Sequence, residues 1–327
     1  MEKIEKRILS YLAKKDRLNF WEMVPYLSQP FVETVKMLKG LENEKLIEIK
    51  GGCIILTKKG REKIKTLGIV GSDLPNVITS IKIDQESLKK FTKLRKKRFF
   101  KEEYDQLPIL PVGIMRKISV MKSKGDLEGK KIICLGDDDM AGIALALTGS
   151  PLEISVLDID KDIVDYENEV FKALKVKAKA YQADLLKPIP QALKHKYDVF
   201  VTEPPDTVFG NSLFFSRGIE CIKKEGGVGY LGISAVDFSK KRYLAVEKNI
   251  LRSGCLITDL FSRLEPYEIG NEDKWIFNLP FNFGWPKKPW FFSDLLRIEV
   301  LEGAKPLFPG VIRKELVKEL IQTNIYC

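Results

Sequence analysis

A doubly wound α/β domain behind a small N-terminal module of helices and a hairpin is the fold class this sequence predicts, and three observations predict it. Residues 131–140 read Lys-Ile-Ile-Cys-Leu-Gly-Asp-Asp-Asp-Met, an apolar strand entering a glycine just before a small-residue helical run, Ala141 to Leu147. A junction of this kind opens the ligand site of doubly wound sheets. Strand-like segments at 131–135, 153–158, 178–182, 197–202, 228–233 and 256–263 alternate with helical ones, as in a parallel sheet. Ahead of them, residues 2–66 show helix-period segments and a hairpin turning on Gly51-Gly52.

The elements follow in order. Residues 2–14 carry Ile4, Ile8, Leu9 and Leu12 at helical spacing. A short helix fits 20–27. A longer one fits 30–45, with Pro30 at its start and Val32, Val35, Leu38 and Leu41 on one face. Residues 45–50 and 53–56 form the hairpin, and Thr57 caps a helix over 58–66. Three helices and a hairpin resemble a winged-helix module, here expected over 1–70. In such modules the third helix reads DNA. Its expected open positions, Glu33, Thr34, Lys36, Lys39, Glu42 and Glu44, carry no Arg or Asn/Gln cluster for base edges. Dimerisation or gating of a substrate site is the preferred role.

Residues 71–112 are expected to hold a linker, a basic helix over 85–100 and a lid segment; Gly68, Gly71, Ser72 and Pro75 mark the linker. The densest basic run, Lys89 to Lys101, is interleaved with Phe91, Phe99 and Phe100. It reads first as a solvated amphipathic face and second as a nucleic-acid contact. A helix over 112–124 packs on the sheet. Residues 113–327 form the expected catalytic domain with a C-terminal extension. That extension has strands near 274–278 and 297–301, a Trp/Phe/Pro-rich segment (Phe281 to Phe292) packing on the sheet edge, and a helix over 313–323.

Composition narrows the class. With 327 residues, 44% hydrophobic and 31% charged, the chain reads as globular and long enough for two domains. It shows no membrane-length apolar run and no signal segment. The five cysteines (Cys53, Cys134, Cys221, Cys255 and Cys327) are scattered without a CxxC pair, which points to a reducing cytoplasm and no zinc site. The single histidine, His195, is placed at the surface and argues against a His base or His metal cluster. Abundant Lys and Glu fit a protein of a hot environment. The net charge of +10 raises nucleic acid as a partner without deciding it.

Four segments fall at strand C-termini, where such sheets bind ligands. The first is Gly136-Asp137-Asp138-Asp139. Phosphate-binding loops offer glycines and N–H groups there; three carboxylates would repel a pyrophosphate and attract a cation. The second ends in Asp158, placed to accept ribose hydroxyls, with Asp160 preferred as the cap of a helix over 161–174. The third brings Asp184, which could take an adenine amino group. The fourth is Glu203-Pro204-Pro205-Asp206-Thr207.

This order resembles the class I S-adenosylmethionine-dependent Rossmann-like fold over roughly residues 115–265. Amino-methylating members have Asn/Asp-Pro-Pro-aromatic in the fourth segment. Here Glu203 replaces the amide and Asp206 the aromatic, which suits an aliphatic ammonium better than a nucleobase. Together with Glu103-Tyr104-Asp105-Gln106 and the N-terminal module, the Gly-Asp-Asp-Asp and Glu-Pro-Pro-Asp-Thr segments resemble the branched-chain polyamine synthases of thermophilic archaea and bacteria. The likeness spans nearly the whole chain. Glu203 is one methylene longer than the Asp usual there.

The resemblance implies an aminopropyltransferase acting on the secondary, then tertiary, amine of spermidine, with decarboxylated S-adenosylmethionine as co-substrate and methylthioadenosine released. It implies no prosthetic group and no metal. Asp139 is the expected proton acceptor. Gly136, Asp137, Asp158 and Asp184 are expected at the donor, and Asp138, Glu103, Tyr104, Asp105, Glu203, Pro204 and Asp206 at the polyamine. Tyr104 would offer its ring to a cation. The alternatives for the triplet are a helix cap or a magnesium site. Expected partners are the two small-molecule substrates and a second copy of the chain, with no membrane and nucleic acid disfavoured. The competing functions are a methyltransferase acting on nucleic acid and a winged-helix regulator sensing a nucleoside or polyamine.

Overall fold

The structure is a computed structural model that describes residues 3–27, 29–74, 81–95, 101, 104, 106–234, 236, 238–268 and 279–313. The chain forms two compact units. The first holds Met1–Thr79, Ala235–Ser239 and Ile269–Phe292, and the second Ser80–Ser234, Lys240–Glu268 and Ser293–Cys327. The two later stretches of the first unit come from the part that the sequence assigns whole to the catalytic domain.

In the first unit, α1 (Lys3–Lys15) buries Ile4, Ile8, Leu9, Tyr11 and Leu12, the stripe that its spacing demands. A short strand, β1 (Arg17–Asn19), lacks a sequence signal and is added to the hairpin edge. Asn19 then caps α2 (Phe20–Met23), and a 3₁₀ turn follows over Val24–Tyr26. Next come α3 (Phe31–Asn43), β2 (Ile47–Lys50), β3 (Cys53–Leu56) and α4 (Lys58–Thr66), in sheet order β1-β3-β2. Gly51 and Gly52 have φ of 57° and 74°, the turn that two-residue hairpins favour. Thr57 caps α4 as expected, through the Gly60 N–H at 3.0 Å.

The buried stripe of α3 differs from the expected one. Phe31 and Thr34 are buried with Val35, Leu38 and Leu41, while Val32 is 60% exposed. Either stripe satisfies helical spacing; the larger Phe31 takes the inner position, in edge or stacked contact with Phe20 and Trp21. Thr34 is therefore not on the open face. The Trp/Phe/Pro segment also packs here and not on the sheet edge. Phe283 stacks on Phe20 at 3.7 Å between centroids, Trp290 lies 4.8 Å from Trp21, and the Trp21 indole donates to the Gly284 carbonyl at 2.9 Å.

The second unit begins with α5 (Gln85–Leu94), capped by Asp84 and anchored by the buried Phe91. The helix stops before the basic run does, since Arg95 leaves helical geometry; residues 96–100 lie outside the described residues. Then come α6 (Pro111–Ser123), β4 (Lys131–Leu135), α7 (Ala141–Thr148), β5 (Glu153–Asp158), α8 (Lys161–Leu174) and β6 (Ala178–Gln182). After these follow β7 (Val199–Thr202), α9 (Val208–Cys221), β8 (Gly227–Ser234), α10 (Lys240–Arg252), β9 (Cys255–Pro266) and β10 (Phe292–Val300). The expected strand near 274–278 and the helix over 313–323 fall outside the described residues, apart from residue 313.

Among the described residues seven strands pair in the order β6-β5-β4-β7-β8-β10-β9. The first five are parallel, and β10 runs antiparallel to β8. Because β4 neighbours β5 on one side and β7 on the other, the chain reverses direction across the sheet there. That opens a crevice at their carboxyl ends. Leu135 is in register with Leu157 and with Thr202, so the segments after these strands converge on one edge. No described helix is long and apolar enough to cross a membrane.

Candidate active site

The loop after β4 is built on a glycine. Gly136 has φ of 67°, and a Cβ there would fall 2.9 Å from the Phe214 ring. Its N–H donates to the Leu157 carbonyl at 2.8 Å. Asp158 joins the first two loops: its carboxylate accepts the N–H of Asp137 at 2.6 Å and that of Asp160 at 2.7 Å. Burial pushes its pKa up to about 6, against the pull of those two donors. Asp160 caps α8 as expected and also takes the Lys101 ammonium at 2.6 Å. Those donors outweigh burial and hold its carboxyl below the usual range.

The three aspartates of the triplet diverge. Asp137, 2% exposed, caps α7: one carboxylate oxygen takes the Ala141 N–H at 2.8 Å and the other the Gly142 N–H at 2.7 Å. A Cβ at Gly142 would lie 2.9 Å from Asp137 and 3.0 Å from the fully buried Glu167, so close do the two carboxyls come. Burial first, and then Asp137, push Glu167 far above the usual range. The Asp137 carboxylate, expected at the donor, is engaged by two N–H groups at the positive end of a helix dipole. The helix-cap alternative holds for Asp137 alone.

Met140 follows in the left-handed region, at φ of 58°, which turns the chain sharply between Asp137 and α7. Asp138 is left half-buried, and Asp139 is 3% exposed. Asp139 accepts the Ile109 N–H at 2.5 Å. Burial raises its pKa to about 7, with Glu203 adding to the rise, while Lys117 and the Ile109 N–H pull it down. Asp138 is pushed far above the usual range by burial and by the acids around it, Asp139 first among them.

Glu203 follows β7 and lies over Gly232 of β8, where a Cβ would fall 1.7 Å from its carboxylate. Only glycine permits this approach. The Tyr267 hydroxyl donates to one Glu203 oxygen, and the Lys117 ammonium lies 3.5 Å from the other. Lys117 also pairs with Glu265 at 2.9 Å, and the Ser293 hydroxyl donates to Glu265 at 3.1 Å. Burial disfavours the Lys117 charge, yet Glu265, Glu203 and Asp139 outweigh it and raise the pKa. Burial lifts Glu265 well above the usual carboxylate range.

Pro204 is buried, and Asp206 is half-buried, with the Arg242 guanidinium donating to its carbonyl. Asp184 is half-buried beyond β6, where one oxygen takes the Leu186 N–H at 2.9 Å. Tyr104 is half-buried, and the Lys101 ammonium already lies 5.7 Å from its ring centroid. Glu103 and Asp105 lie outside the described residues. The segment between Lys101 and Ile109 is held at one end by Gln106 and Lys101 on Asp160, and at the other by Ile109 on Asp139.

Gly136, Asp138, Asp139 and Asp158 therefore converge with Glu203 at the sheet edge. Lys117, Glu265, Tyr267 and Gly232 complete the site and were not expected. Lys117 had a signal: it shares the buried face of α6 with Gly113, Ile114, Ile118 and Met121, where a lysine is out of place. Glu265 and Tyr267 lie at the far end of β9, beyond the 256–263 segment that the sequence marks as strand-like. Among the described residues no group of His, Cys, Asp and Glu is arranged to hold a metal ion.

Comparison with known proteins matches residues 86–320 to the family model of the branched-chain polyamine synthase A C-terminal domain. The chain is 32% identical over 322 residues to an N(4)-bis(aminopropyl)spermidine synthase of Methanocaldococcus jannaschii, covering 92% of this chain and 88% of that protein. Against the Thermus thermophilus protein of that name it is 29% identical over 313 residues, again covering 92% and 88%. The crystal structure of the Thermus thermophilus branched-chain polyamine synthase, in complex with N4-aminopropylspermidine and 5'-methylthioadenosine, superposes with a TM-score of 0.81 at 27% identity. It covers 96% of this chain and 91% of that one. A putative RNA methyltransferase from Pyrococcus horikoshii shares the fold, with a TM-score of 0.50 at 17% identity over 67% of this chain and 99% of that one. The chain belongs to the branched-chain polyamine synthase family.

Proposed function

With membership of that family as the premise, we propose that this protein is an aminopropyltransferase. It moves the aminopropyl group of decarboxylated S-adenosylmethionine to the secondary, then the tertiary, amine of spermidine. Each transfer releases 5'-methylthioadenosine, and the polyamine products are N4-aminopropylspermidine and N4-bis(aminopropyl)spermidine. The observation that carries this reading is the convergence of Asp138, Asp139 and Glu203 on the crevice where a phosphate-binding fold would offer N–H groups. Both substrates are cations, and the site's charge is of the opposite sign.

In the transfer the amine lone pair forms a new bond to the aminopropyl carbon while the carbon–sulfur electrons return to sulfur. The sulfonium becomes a neutral thioether and leaves as methylthioadenosine. The nitrogen must lie in line with that sulfur and be free of its proton. We assign Asp139 as the acceptor of that proton; a carboxylate that titrates at about 7 is well matched to such exchange. In the second transfer the product nitrogen is quaternary and carries no proton, so deprotonation must precede attack. Asp138, Glu103, Tyr104, Asp105, Glu203, Pro204 and Asp206 are assigned to the polyamine. Gly136, Asp158 and Asp184 are assigned to the nucleoside of the donor.

For the N-terminal part, the helices α1 to α4 with the β1-β3-β2 sheet support a winged-helix reading over residues 1–70. Its role is pairing with a second copy or gating the site, with 71–112 as connecting and covering segment and 113–327 as catalytic domain. The mixed surface of α3 supports pairing over base reading. We place the enzyme in the reducing cytoplasm of a thermophile, in keeping with the free cysteines among the described residues, Cys53, Cys134, Cys221 and Cys255.

Incubation with decarboxylated S-adenosylmethionine and spermidine tests the reading. Methylthioadenosine release together with branched products is the expected result. No release, with ordinary S-adenosylmethionine consumed on RNA or DNA instead, would overturn it.

A further inference from the structure

Lys117 is 1% exposed on the core-facing side of α6, between Ile114 and Ile118. Its ammonium reaches Glu265 at 2.9 Å and Glu203 at 3.5 Å. Glu265 is itself fully buried and held by Ser293 from β10. A leucine or methionine would suit this helix face far better, because burying an ammonium carries a large desolvation penalty even when it is paired. The position is explained if the charge acts on the crevice above it. We infer that Lys117 is a positioning residue: it favours the ionised form of the carboxylates around it before a cationic substrate arrives, and so sets the pH at which Asp139 becomes a proton acceptor. This inference rests on the proposed assignment of Asp139.

The groups acting on Asp139 come from every surrounding element. Asp138 is its neighbour in the loop, Asp158 ends β5 and Glu203 follows β7. Glu265 and Tyr267 lie at the end of β9, with the Tyr267 hydroxyl on Glu203. Arg95, beyond α5, and Lys117 are the cations. Crowded acids hold their protons, since each new negative charge is repelled by the others. An acid that keeps its proton can neither accept one nor attract an ammonium. Lys117 opposes this for its neighbours, and it reaches Glu203 and Glu265 directly.

Two variants move the site in opposite directions. Lys117→Met removes the cation at nearly constant volume. The acidic limb of kcat/KM for spermidine should then move up by about one pH unit or more, as expected for loss of a nearby opposite charge. Activity at pH 7 should fall ~10-fold or more and recover at higher pH. Glu265→Gln removes the carboxyl that competes for Lys117 at 2.9 Å and frees the ammonium to act on Glu203 and Asp139, so its acidic limb should move down. Titration of spermidine itself is common to all variants and cancels in the comparison. A packing defect would lower the melting temperature without moving the limbs apart. Limbs that stay with the wild type, or move together, overturn the inference. If Lys117→Met does not fold, Glu265→Gln decides alone: a downward limb supports the inference, and a stationary or rising one overturns it. Wild-type release of methylthioadenosine tests the function separately, so failure of one is distinguishable from failure of the other.

Discussion

Asp137 and Asp139 lie two residues apart in one loop and are both buried, yet they sit in opposite surroundings. Asp137 faces down, with the Ala141 and Gly142 N–H groups on its oxygens and the buried Glu167 carboxyl nearby. Asp139 sits on the crevice side, with one N–H from Ile109 and a wider ring of Glu203 and Lys117. The first arrangement fully engages a carboxylate; the second leaves lone pairs open at a sheet edge. The difference teaches that a charge run is not one site. Its members are sorted by which backbone donors each can reach, and here the left-handed Met140 turn does the sorting.

The largest effect that would break this contrast is at Asp139. Asp139→Asn should lower kcat by ~10²–10⁴-fold, the range for losing a positioned acid or base, while spermidine affinity changes modestly. Near-wild-type turnover under saturating substrates would pass the role to Glu203 or Asp206. Next comes Glu203→Gln, which weakens a contact to a cation. The polyamine KM should rise by ~10–100-fold, the equivalent of one charged hydrogen bond, and isothermal titration against spermidine measures it.

Asp158→Asn should act on the other substrate. An amide cannot accept both the Asp137 and Asp160 N–H groups, so the donor KM should rise by about tenfold with polyamine affinity nearly intact. On the structural side, Asp137→Asn should cost about 1–2 kcal/mol of stability, as for a lost helix cap, with kcat little changed. Chemical denaturation beside initial rates would check it; a collapse of kcat at unchanged stability would erase the contrast with Asp139.

The smallest effect is on pH. Asp158 and Asp139 ionise near 3.8 when unfolded but at about 6 and about 7 when folded. Between those values the folded state holds more protons. The contribution of these groups is fully present below about pH 4 and is lost as pH rises through 6 and 7. The melting temperature of the ligand-free protein should carry this decline, and Asp139→Asn should flatten its upper part.

Much of the fold is legible from periodicity. The strands at 131–135, 153–158 and 178–182 and the helix at 161–174 are found where apolar spacing and caps place them. Hydrophobic period is a local property, and a buried parallel strand shows it strongly. The stripe of α3 was misread by one position because Val32 and Phe31 fit the same spacing, and only the aromatic neighbours choose between them.

The sequence by itself determined that acids follow the carboxyl ends of β4, β5 and β7, since each lies a residue or so beyond a recognisable strand. It also pointed to a cationic ligand, because carboxylates in a phosphate-loop position repel anions. Only the tertiary structure decided which carboxylate faces the crevice, that Lys117 and Tyr267 support Glu203, and that Gly232 makes room for it. The physical reason is range. Strand periodicity and helix caps act over a few residues, whereas the Lys117–Glu203 and Tyr267–Glu203 contacts join positions 86 and 64 residues apart. Such contacts are specified by how the sheet and its helices pack, and no local pattern encodes them.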